Sequence, residues 1–190
     1  NGWLKLSKNG RIHYSTNTLG AVTGRATASR PNVQQVPSDR AEYGKECREL
    51  FHAPKGWELM GSDQSSIELR CLAHYMAKWD KGAYGKVILN GDIHTANQQA
   101  AGLKTRAQAK TFIYGFLYGA GNAKLGAIVG RGNHTGKLLK DRFLSSLPAL
   151  REFQNRVFEY AKKGNLKGLD GRIIPVRHQH ASLNTLLQSC

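Results

Sequence analysis

The sequence predicts an α+β fold in which short strands come first, a block of helices follows and strand structure returns near the end. Near the start, apolar residues lie between turn residues in segments such as GRIHYST, a pattern typical of strands. In the middle of the chain they recur with the 3.6-residue period of amphipathic helices. The length of 190 residues suits one domain with an adequate core. This order indicates an α+β body with a helical insertion.

The individual elements follow from these periods in chain order. Residues 1–22 are predicted as a turn-rich strand region, and residues 23–37 as an irregular segment that Pro31 and Pro37 interrupt. A strand is predicted at 57–63, followed by a helix over SSIELRCLAHYMA. Further helices are predicted at 92–102, 105–118, 123–130, 134–144 and 147–163. The segment KGLDGRIIPVR is predicted as a turn and a short strand that lead into a terminal helix.

The balance of charge points to a polyanionic partner. Lys and Arg total 28 against 13 Asp and Glu, a net charge of +15, and such an excess is typical of proteins that bind nucleic acid. The sequence contains no apolar run of about 18 residues, no signal-peptide pattern and no lipidation motif, so a membrane partner is not expected. The three cysteines, Cys47, Cys71 and Cys190, lack metal-ligand spacing and indicate a reducing, cytosolic environment.

The segment RAQAKTFIYGFLYG, residues 106–119, predicts a helix with two different faces. At about 100° per residue, one stripe contains Arg106, Lys110, Tyr114 and Tyr118, and the opposite side contains Phe112, Ile113, Phe116 and Leu117. The stripe could be an ordinary solvated face whose long cations cover the tyrosines. However, no carboxylate occurs between Lys104 and Lys124 to pair with these cations across a turn. An external anion is therefore expected, and Gly119 is expected to let the chain turn away at the helix end.

A second informative segment is GSDQSSIELR, where a predicted strand gives way to a helix. A carboxylate at that position, Asp63, can bind Mg²⁺, which takes one or two carboxylates and completes its shell with water and substrate phosphates. The alternative is that Asp63 caps the following helix. Ser65 and Glu68 have the spacing of a capping box, which would also fix Glu68 beside such a metal.

Five motifs in order resemble the polymerase domain of family A DNA polymerases, most closely the T-seven-like bacteriophage replicases. They are TGRATASRPNVQQVP, SDQSSIELRCLAHYMA, GDIHT, the R-x3-K-x3-YG-x2-YG helix and HASLNTLLQS, and together they extend from about residue 19 to residue 189. The resemblance implies a right-hand polymerase fold that is incomplete here: part of the palm β-sheet with a mostly helical fingers subdomain. It assigns residues 1–65 to the palm, 66–169 to the fingers and 170–190 to the returning palm.

The resemblance also implies roles in template-directed, two-metal phosphoryl transfer from dNTPs to a primer 3′ end. Asp63 matches the aspartate that holds both Mg²⁺ ions, and Gln64 matches the residue whose backbone carbonyl also reaches a metal. Glu68 matches the residue that closes the site against a 2′-hydroxyl. Arg106, Lys110 and His94 match phosphate contacts. Tyr114 matches the residue that stacks by the sugar and base, and Tyr118 matches a residue near the template. A Tyr at position 114 is similar to the subgroup that tolerates a missing 3′-hydroxyl.

Contacts to primer-template DNA are implied at two further places. The first is the loop that contains Arg25, Asn32, Gln34 and Gln35, and the second is the terminal segment with His180, Asn184 and Gln188. Amide and guanidinium donors suit the degenerate acceptors of the minor groove. Ordinary turn and helix polarity is the alternative explanation for these residues.

The sequence departs from the family pattern in one important respect. It contains no His-Asp-Glu motif, which carries the second metal-binding aspartate of the family, so residues 1–190 are expected not to polymerise alone. The family's exonuclease domain is also absent, as is the thumb, through which a host thioredoxin-like processivity factor would bind. The chain starts without Met and ends within an apolar-periodic run, which favours part of a longer phage protein acting in the cytoplasm of an infected bacterium.

Other interpretations of the sequence remain open. A split polymerase would have a second chain that supplies the missing aspartate. A noncatalytic nucleic-acid-binding or nucleotide-binding module would explain the charge, but it would not need the metal-type carboxylate Asp63. A single-subunit RNA polymerase shares the R-x3-K spacing, and Glu68 in the gating position favours DNA.

Overall fold

The computed structural model describes residues 3–190, apart from the side chain of Leu4, and divides into two units, 1–65 and 66–190. Residues 1 and 2 of the predicted first strand region lie outside the described part. The predicted order of strands, helices and returning strand is confirmed, and the strands form three separate antiparallel pairs among the described residues. In the same part of the chain, no helix combines the length and apolarity needed to cross a bilayer.

The first unit contains short elements. They are α1 (Trp3–Leu6), β1 (Ser7–Lys8), β2 (Arg11–Ile12), β3 (Ser15–Asn17), β4 (Thr27–Ser29), a 3-10 turn (Val33–Gln35) and α2 (Gly44–Glu49). β1 pairs with β2 through a two-residue turn at Asn9 and Gly10, whose φ angles of 52° and 71° are those of a hairpin turn. β3 pairs with β4, with Thr16 opposite Ala28.

The second unit is mainly helical. Its elements are α3 (Ile67–Asp80), α4 (Ala83–Asn90), α5 (Ile93–Ala101), α6 (Arg106–Leu117), α7 (Asn122–Ala127), α8 (Asn133–Ser146), α9 (Pro148–Ala161), β5 (Asn165–Lys167), β6 (Ile173–Pro175), a 3-10 turn (Gln179–Ala181) and α10 (Ser182–Gln188). The helices predicted from periodicity between residues 92 and 163 match α5 to α9 within a few residues at each end. Three helices, α1, α2 and α4, were not predicted, and α1 lies within the segment predicted as a turn-rich strand region.

An aromatic cluster fixes the position of α6 against α8. The ring of Phe143 on α8 lies edge-on to Phe112 and Phe116 of α6, with centroid separations of 5.3 and 5.5 Å. Phe112 and Phe143 are fully buried, and full burial of a phenylalanine side chain contributes about 1.5–3 kcal/mol. The exposed face of α6 therefore belongs to a helix whose buried face is well packed.

The strand predicted at 57–63 is absent, and that prediction is wrong. No described residue pairs with this segment as a strand. Its apolar side chains are exposed: 75% for Trp57, 71% for Leu59 and 97% for Met60. An apolar period-two pattern forms a strand only where another strand satisfies its backbone groups, so the local pattern was not sufficient.

The N-cap residue of α3 differs from the one that the predicted capping box requires. The N-cap residue is Ser66 rather than Ser65, and Ser66 has a left-handed φ of 57° and no side-chain capping hydrogen bond. A capping side chain normally belongs to a residue with extended backbone angles, which Ser66 does not have. Asp63 lies outside the cap as well, and α3 begins four positions further along the chain.

Candidate nucleotide-binding site

The first turn of α6 is fixed by a capping box. The Thr105 hydroxyl accepts a hydrogen bond from the backbone N–H of Gln108 at 3.2 Å, and the Gln108 side chain accepts from the backbone N–H of Thr105 at 3.3 Å. Such caps contribute about 1 kcal/mol. The helix therefore begins at Arg106, which places the side chains of the predicted stripe in a defined register.

The two faces of α6 divide as the periodicity predicts. The buried side consists of Ala109, Phe112, Ile113, Phe116 and Leu117. Arg106, Lys110 and Tyr118 are exposed, and Tyr114 is half-buried. Within the described residues, no carboxylate forms an ion pair with Lys110. A cation and an aromatic ring on successive turns are thus presented on one side of the helix.

Arg106 has an internal partner, which corrects the expectation that the cations of this stripe lack one. Its Nε donates to Oδ2 of Asp92 at 2.6 Å, and its Nη2 donates to Oδ1 at 3.2 Å. Asp92 directly precedes α5, and Arg106 is the first residue of α6, so the pair joins the starts of two helices. The two residues lie 14 positions apart in sequence. The hydrogen bonds from Arg106 are the main cause that holds the pKa of Asp92 well below its usual range. These hydrogen bonds therefore favour the ionised form of the carboxylate.

His94 lies in the first turn of α5, beside the same stripe. It is buried, its ring centroid lies 6.4 Å from that of Tyr114, and its Nδ1 has no hydrogen-bond partner among the described residues. Burial, followed by the nearby charges of Arg106 and Lys110, lowers the pKa of His94, while Asp92 acts in the opposite direction. A neutral imidazole with an unused ring nitrogen can donate or accept one further hydrogen bond.

A buried polar pair supports α5 from behind. The Tyr84 hydroxyl of α4 and the Asn97 side chain of α5 are hydrogen-bonded at 3.1–3.2 Å, and both residues are buried. Burial raises the pKa of Tyr84, and the nearby Tyr114 contributes in the same direction. A hydrogen-bonded buried pair favours one packing arrangement, so it helps to define where α5 carries His94.

The end of α6 is closed by a Schellman motif at Gly119. Ala120 N–H donates to Gly115 O at 2.9 Å, Gly119 N–H donates to Phe116 O at 3.0 Å, and Gly119 has a φ of +75°. A Cβ at position 119 would lie 2.7 Å from the carbonyl oxygen of His180. The predicted turn at Gly119 is confirmed, and the segment around His180 lies against the end of α6 at this glycine.

The predicted DNA contacts of the terminal segment lie on accessible surface. His180 is exposed and its ring stacks on His178 at a centroid separation of 5.6 Å. Asn184 and Gln188 are half-buried and share one side of α10, whose other side buries Leu183, Leu186 and Leu187. The geometry allows polar contact with a ligand on this side of α10.

The remaining predicted site residues lie at the start of α3 or in the first unit. Asp63 and Gln64 are exposed, and Glu68 is half-buried in the first turn of α3. Among the described residues, no group of three or more His, Cys, Asp or Glu side chains could hold a metal ion. A metal ion at Asp63 would therefore need ligands in addition to this one carboxylate. Mg²⁺ can bind in this way, because it uses one or two carboxylates and completes its shell with water and substrate phosphates.

The loop after β4 contains the other predicted DNA contacts. The Asn32 side chain accepts from the Gln34 backbone N–H at 3.0 Å and caps the 3-10 turn, and the Gln34 side chain donates to Ala26 O at 3.4 Å. Arg25 and Gln35 are exposed. Asn32 therefore stabilises the conformation of this loop, independently of any contact with DNA.

Sequence reasoning missed Asp92 as a member of the site. Its carboxylate lies outside the segment from Lys104 to Lys124, because Asp92 is the N-cap of α5, one helix before α6. A signal was available: an aspartate before a helical run is a candidate N-cap, and Asp92 does cap α5 by accepting from the His94 backbone N–H at 3.0 Å. That cap places its carboxylate beside both His94 and Arg106.

Comparison with known protein families identifies relatives over almost the whole chain. The model of the family described as DNA polymerase family A matches residues 3–188. The chain is 51% identical over 211 residues to the DNA-directed DNA polymerase of Escherichia phage T7, a match that covers 98% of this chain and 30% of the phage protein. The same figures apply to the DNA-directed DNA polymerase of Enterobacteria phage T3. The chain thus spans about 30% of the length of these relatives.

A likeness among solved structures confirms the predicted fold class. The POL domain of Pol1 from M. smegmatis, in complex with DNA primer-template and dNTP, superposes with a TM-score of 0.78 and 24% sequence identity. The match covers 99% of this chain and 37% of that one. The described residues therefore have an α+β fold that corresponds to part of a polymerase domain.

Proposed function

Because this chain belongs to DNA polymerase family A, we propose that it forms the nucleotide-binding part of a phage DNA polymerase. That enzyme adds dNTPs to a primer 3′ end opposite a template strand during viral DNA replication, in the cytoplasm of the infected bacterium. In this proposal residues 1–65 belong to the palm, 66–169 to the fingers and 170–190 to the returning palm.

The observation that carries the proposal is the exposed face of α6. Lys110 lies one turn after Arg106 along the helix, and Tyr114 lies one turn after Lys110, beside His94. A triphosphate needs cations along its length, and a base or sugar needs a flat surface next to it. Lys110 and Arg106 would stabilise the negative charge that develops on the phosphates during transfer. Tyr114 would pack against the sugar and base, and Tyr118 would lie near the template.

The fold family implies Mg²⁺, and the exposed carboxylate at Asp63 has the donor chemistry to fit it. Asp63 and the backbone carbonyl of Gln64 would hold the metal. When bound, two Mg²⁺ ions would activate the primer hydroxyl and stabilise the leaving group. Glu68 would exclude a 2′-hydroxyl from the sugar position and so favour deoxynucleotides.

Primer-template DNA is the macromolecular partner in this proposal. Arg25, Asn32, Gln34 and Gln35 would contact it from the first unit, and His180, Asn184 and Gln188 from the terminal segment. The net charge of +15 provides long-range attraction to the phosphate backbone. A thioredoxin-like host processivity factor would act through a thumb, which these residues do not include.

We also propose that residues 1–190 do not extend a primer by themselves, since the sequence contains no His-Asp-Glu motif to supply a second metal-binding aspartate. A primer-extension assay with this chain, a primer-template, Mg²⁺ and the four dNTPs should give no product. Extension by this chain alone would contradict the proposal.

Nucleotide binding tests the main proposal without requiring turnover. Isothermal titration of the chain with dATP and MgCl2 should give saturable binding, and Lys110→Ala should weaken it by at least about tenfold, since a charge-assisted hydrogen bond is lost. Lys137→Ala, which removes an exposed cation from α8, is the matched control and should change the affinity little. Equal affinities for Lys110→Ala and the unmodified chain would refute the assignment of α6.

A further inference from the structure

We propose that Asp92 is a positioning residue that holds Arg106 in the orientation needed to bind the phosphates of the nucleotide. The inference rests on the proposed function of α6, and it adds a residue that does not itself touch the nucleotide. Its basis is the geometry of the Asp92 carboxylate, which joins the start of α5 to the start of α6.

The ion pair occupies only one edge of the guanidinium group. Nε and Nη2 of Arg106 donate to the two carboxylate oxygens of Asp92. A guanidinium has five N–H donors, so the other edge, with both N–H groups of Nη1 and the second one of Nη2, can still donate to a phosphate. Asp92 and a phosphate can therefore bind Arg106 at the same time, without competing for the same donors.

The carboxylate is held in place by its own contacts with α5. Oδ1 accepts from the His94 backbone N–H at 3.0 Å, and Oδ2 accepts from the Thr95 hydroxyl at 2.9 Å. Both oxygens thus have a partner on α5 and a partner on Arg106. Since α5 is in turn fixed by the buried Tyr84–Asn97 pair, the orientation of Arg106 is tied to the same rigid helix that carries His94.

The sign of the expected effect separates positioning from simple charge. A carboxylate near a bound triphosphate repels it, so charge alone predicts that neutralising Asp92 strengthens phosphate binding. Positioning predicts the opposite. Arg106 is more than half exposed. Without Asp92, this long side chain would have to be ordered when the phosphate binds, and the entropy lost in that step would weaken binding.

The substitution Asp92→Asn isolates this role from helix capping. Asn is as good an N-cap as Asp, so the start of α5 should be retained, but an amide has only one acceptor oxygen and no charge to bind the guanidinium bidentately. The measurement is the affinity of the 190-residue chain for inorganic tripolyphosphate by isothermal titration. Asp92→Asn should weaken it about three- to tenfold, the cost of ordering one long side chain.

Three further variants complete the test. Asp141→Asn removes an exposed carboxylate of α8 and changes the net charge equally, so it should leave the affinity unchanged or slightly raised. Arg106→Ala should weaken binding by itself. When Asp92→Asn is added to Arg106→Ala, no additional weakening should occur, because Asp92 would act only through the guanidinium.

The outcomes distinguish this inference from the proposed function. If Arg106→Ala weakens binding while Asp92→Asn binds as tightly as the unmodified chain or more tightly, the positioning role is overturned and the site assignment stands. If Arg106→Ala has no effect, the site assignment itself fails. Should Asp92→Asn not fold, Asp92→Ser, which keeps a capping oxygen, replaces it, and failure of both to fold would show a purely structural residue and overturn the inference.

Discussion

At the scale of single residues, the hydroxyl of Tyr114 has a predicted effect on the choice of substrate. Tyr114→Phe, in the complete polymerase proposed above, should lower the incorporation ratio of dideoxy to deoxynucleotides about three- to tenfold. The hydroxyl can supply a hydrogen bond where the 3′-hydroxyl is missing, and one such bond corresponds to that factor. Competition between ddTTP and dTTP in primer extension measures the ratio. Tyr118→Phe is the control, and an unchanged ratio for Tyr114→Phe would disprove the assignment.

His94 should make the stability of the chain depend on pH. Its pKa lies below the ordinary value near 6.5, mainly because it is buried. The unfolded chain then binds more protons at this residue than the folded chain does, so the free energy of unfolding falls as the pH drops below that ordinary value. Thermal unfolding at pH values from 8 to 5 should show this loss.

Replacement of the histidine tests whether His94 is the source of the effect. His94→Gln should reduce the loss of melting temperature between neutral and acidic pH. The same substitution at His134, an exposed position on α8, should leave the pH dependence almost unchanged. A pH profile that is identical in His94→Gln and the unmodified chain would show that other groups cause the acid destabilisation.

At the scale of elements, two glycines of the α6 region should respond oppositely to alanine. Gly119 has a φ of +75°, and a Cβ there would lie 2.7 Å from a backbone carbonyl that cannot move aside alone. Gly119→Ala should therefore destabilise the chain by at least about 1–2 kcal/mol. Gly115 lies inside α6, where a Cβ would make only ordinary contacts at 3.5 and 3.8 Å, so Gly115→Ala should stabilise it by up to about 1 kcal/mol.

Urea denaturation of both variants measures this difference. The comparison is well matched because both glycines take part in the same Schellman motif, and both variants add the same methyl group. Equal stabilities would mean that Gly119 can relax away from the carbonyl of His180. In that case the close contact between the end of α6 and the segment around His180 would not be maintained in solution.

The elements also show which structure the sequence could predict. The faces of α6 were predictable because helical periodicity is local: each residue of the buried side follows from its neighbours three and four positions away. α4 was missed because Gly85 and the β-branched Val87 and Ile88 are poor helix formers, and its packing against α3 overrides that preference. The strand predicted at 57–63 is absent because, unlike a helix, a strand depends on a partner strand that can lie far away in the sequence.

The candidate site was predictable where it depends on one helix and not where it depends on two. The spacing of Arg106, Lys110 and Tyr114 along α6 is visible in the sequence. The pairing of Arg106 with Asp92 is not, because it depends on how α5 and α6 pack and on a helix cap that turns the carboxylate towards its neighbour. The same holds for the contact between Gly119 and His180, which joins segments that lie far apart in the chain.

At the scale of the whole molecule, the net charge of +15 should dominate the way that the chain binds DNA. A basic protein that neutralises phosphates releases their counterions, so the logarithm of its affinity falls linearly with the logarithm of the salt concentration. With six or more phosphate contacts the affinity for a primer-template duplex should fall by about a thousandfold between 50 and 200 mM NaCl. Fluorescence anisotropy with a labelled duplex measures this dependence.

The sequence of the duplex should matter little, which separates this interaction from specific recognition. The residues proposed to contact DNA carry amide, imidazole and guanidinium groups, and these suit phosphates and the degenerate acceptors of the minor groove. Two duplexes of equal length and unrelated sequence should therefore bind within about a factor of three at any one salt concentration. A weak salt dependence combined with a strong preference for one duplex would mean that major-groove readout, and not the overall charge, determines binding.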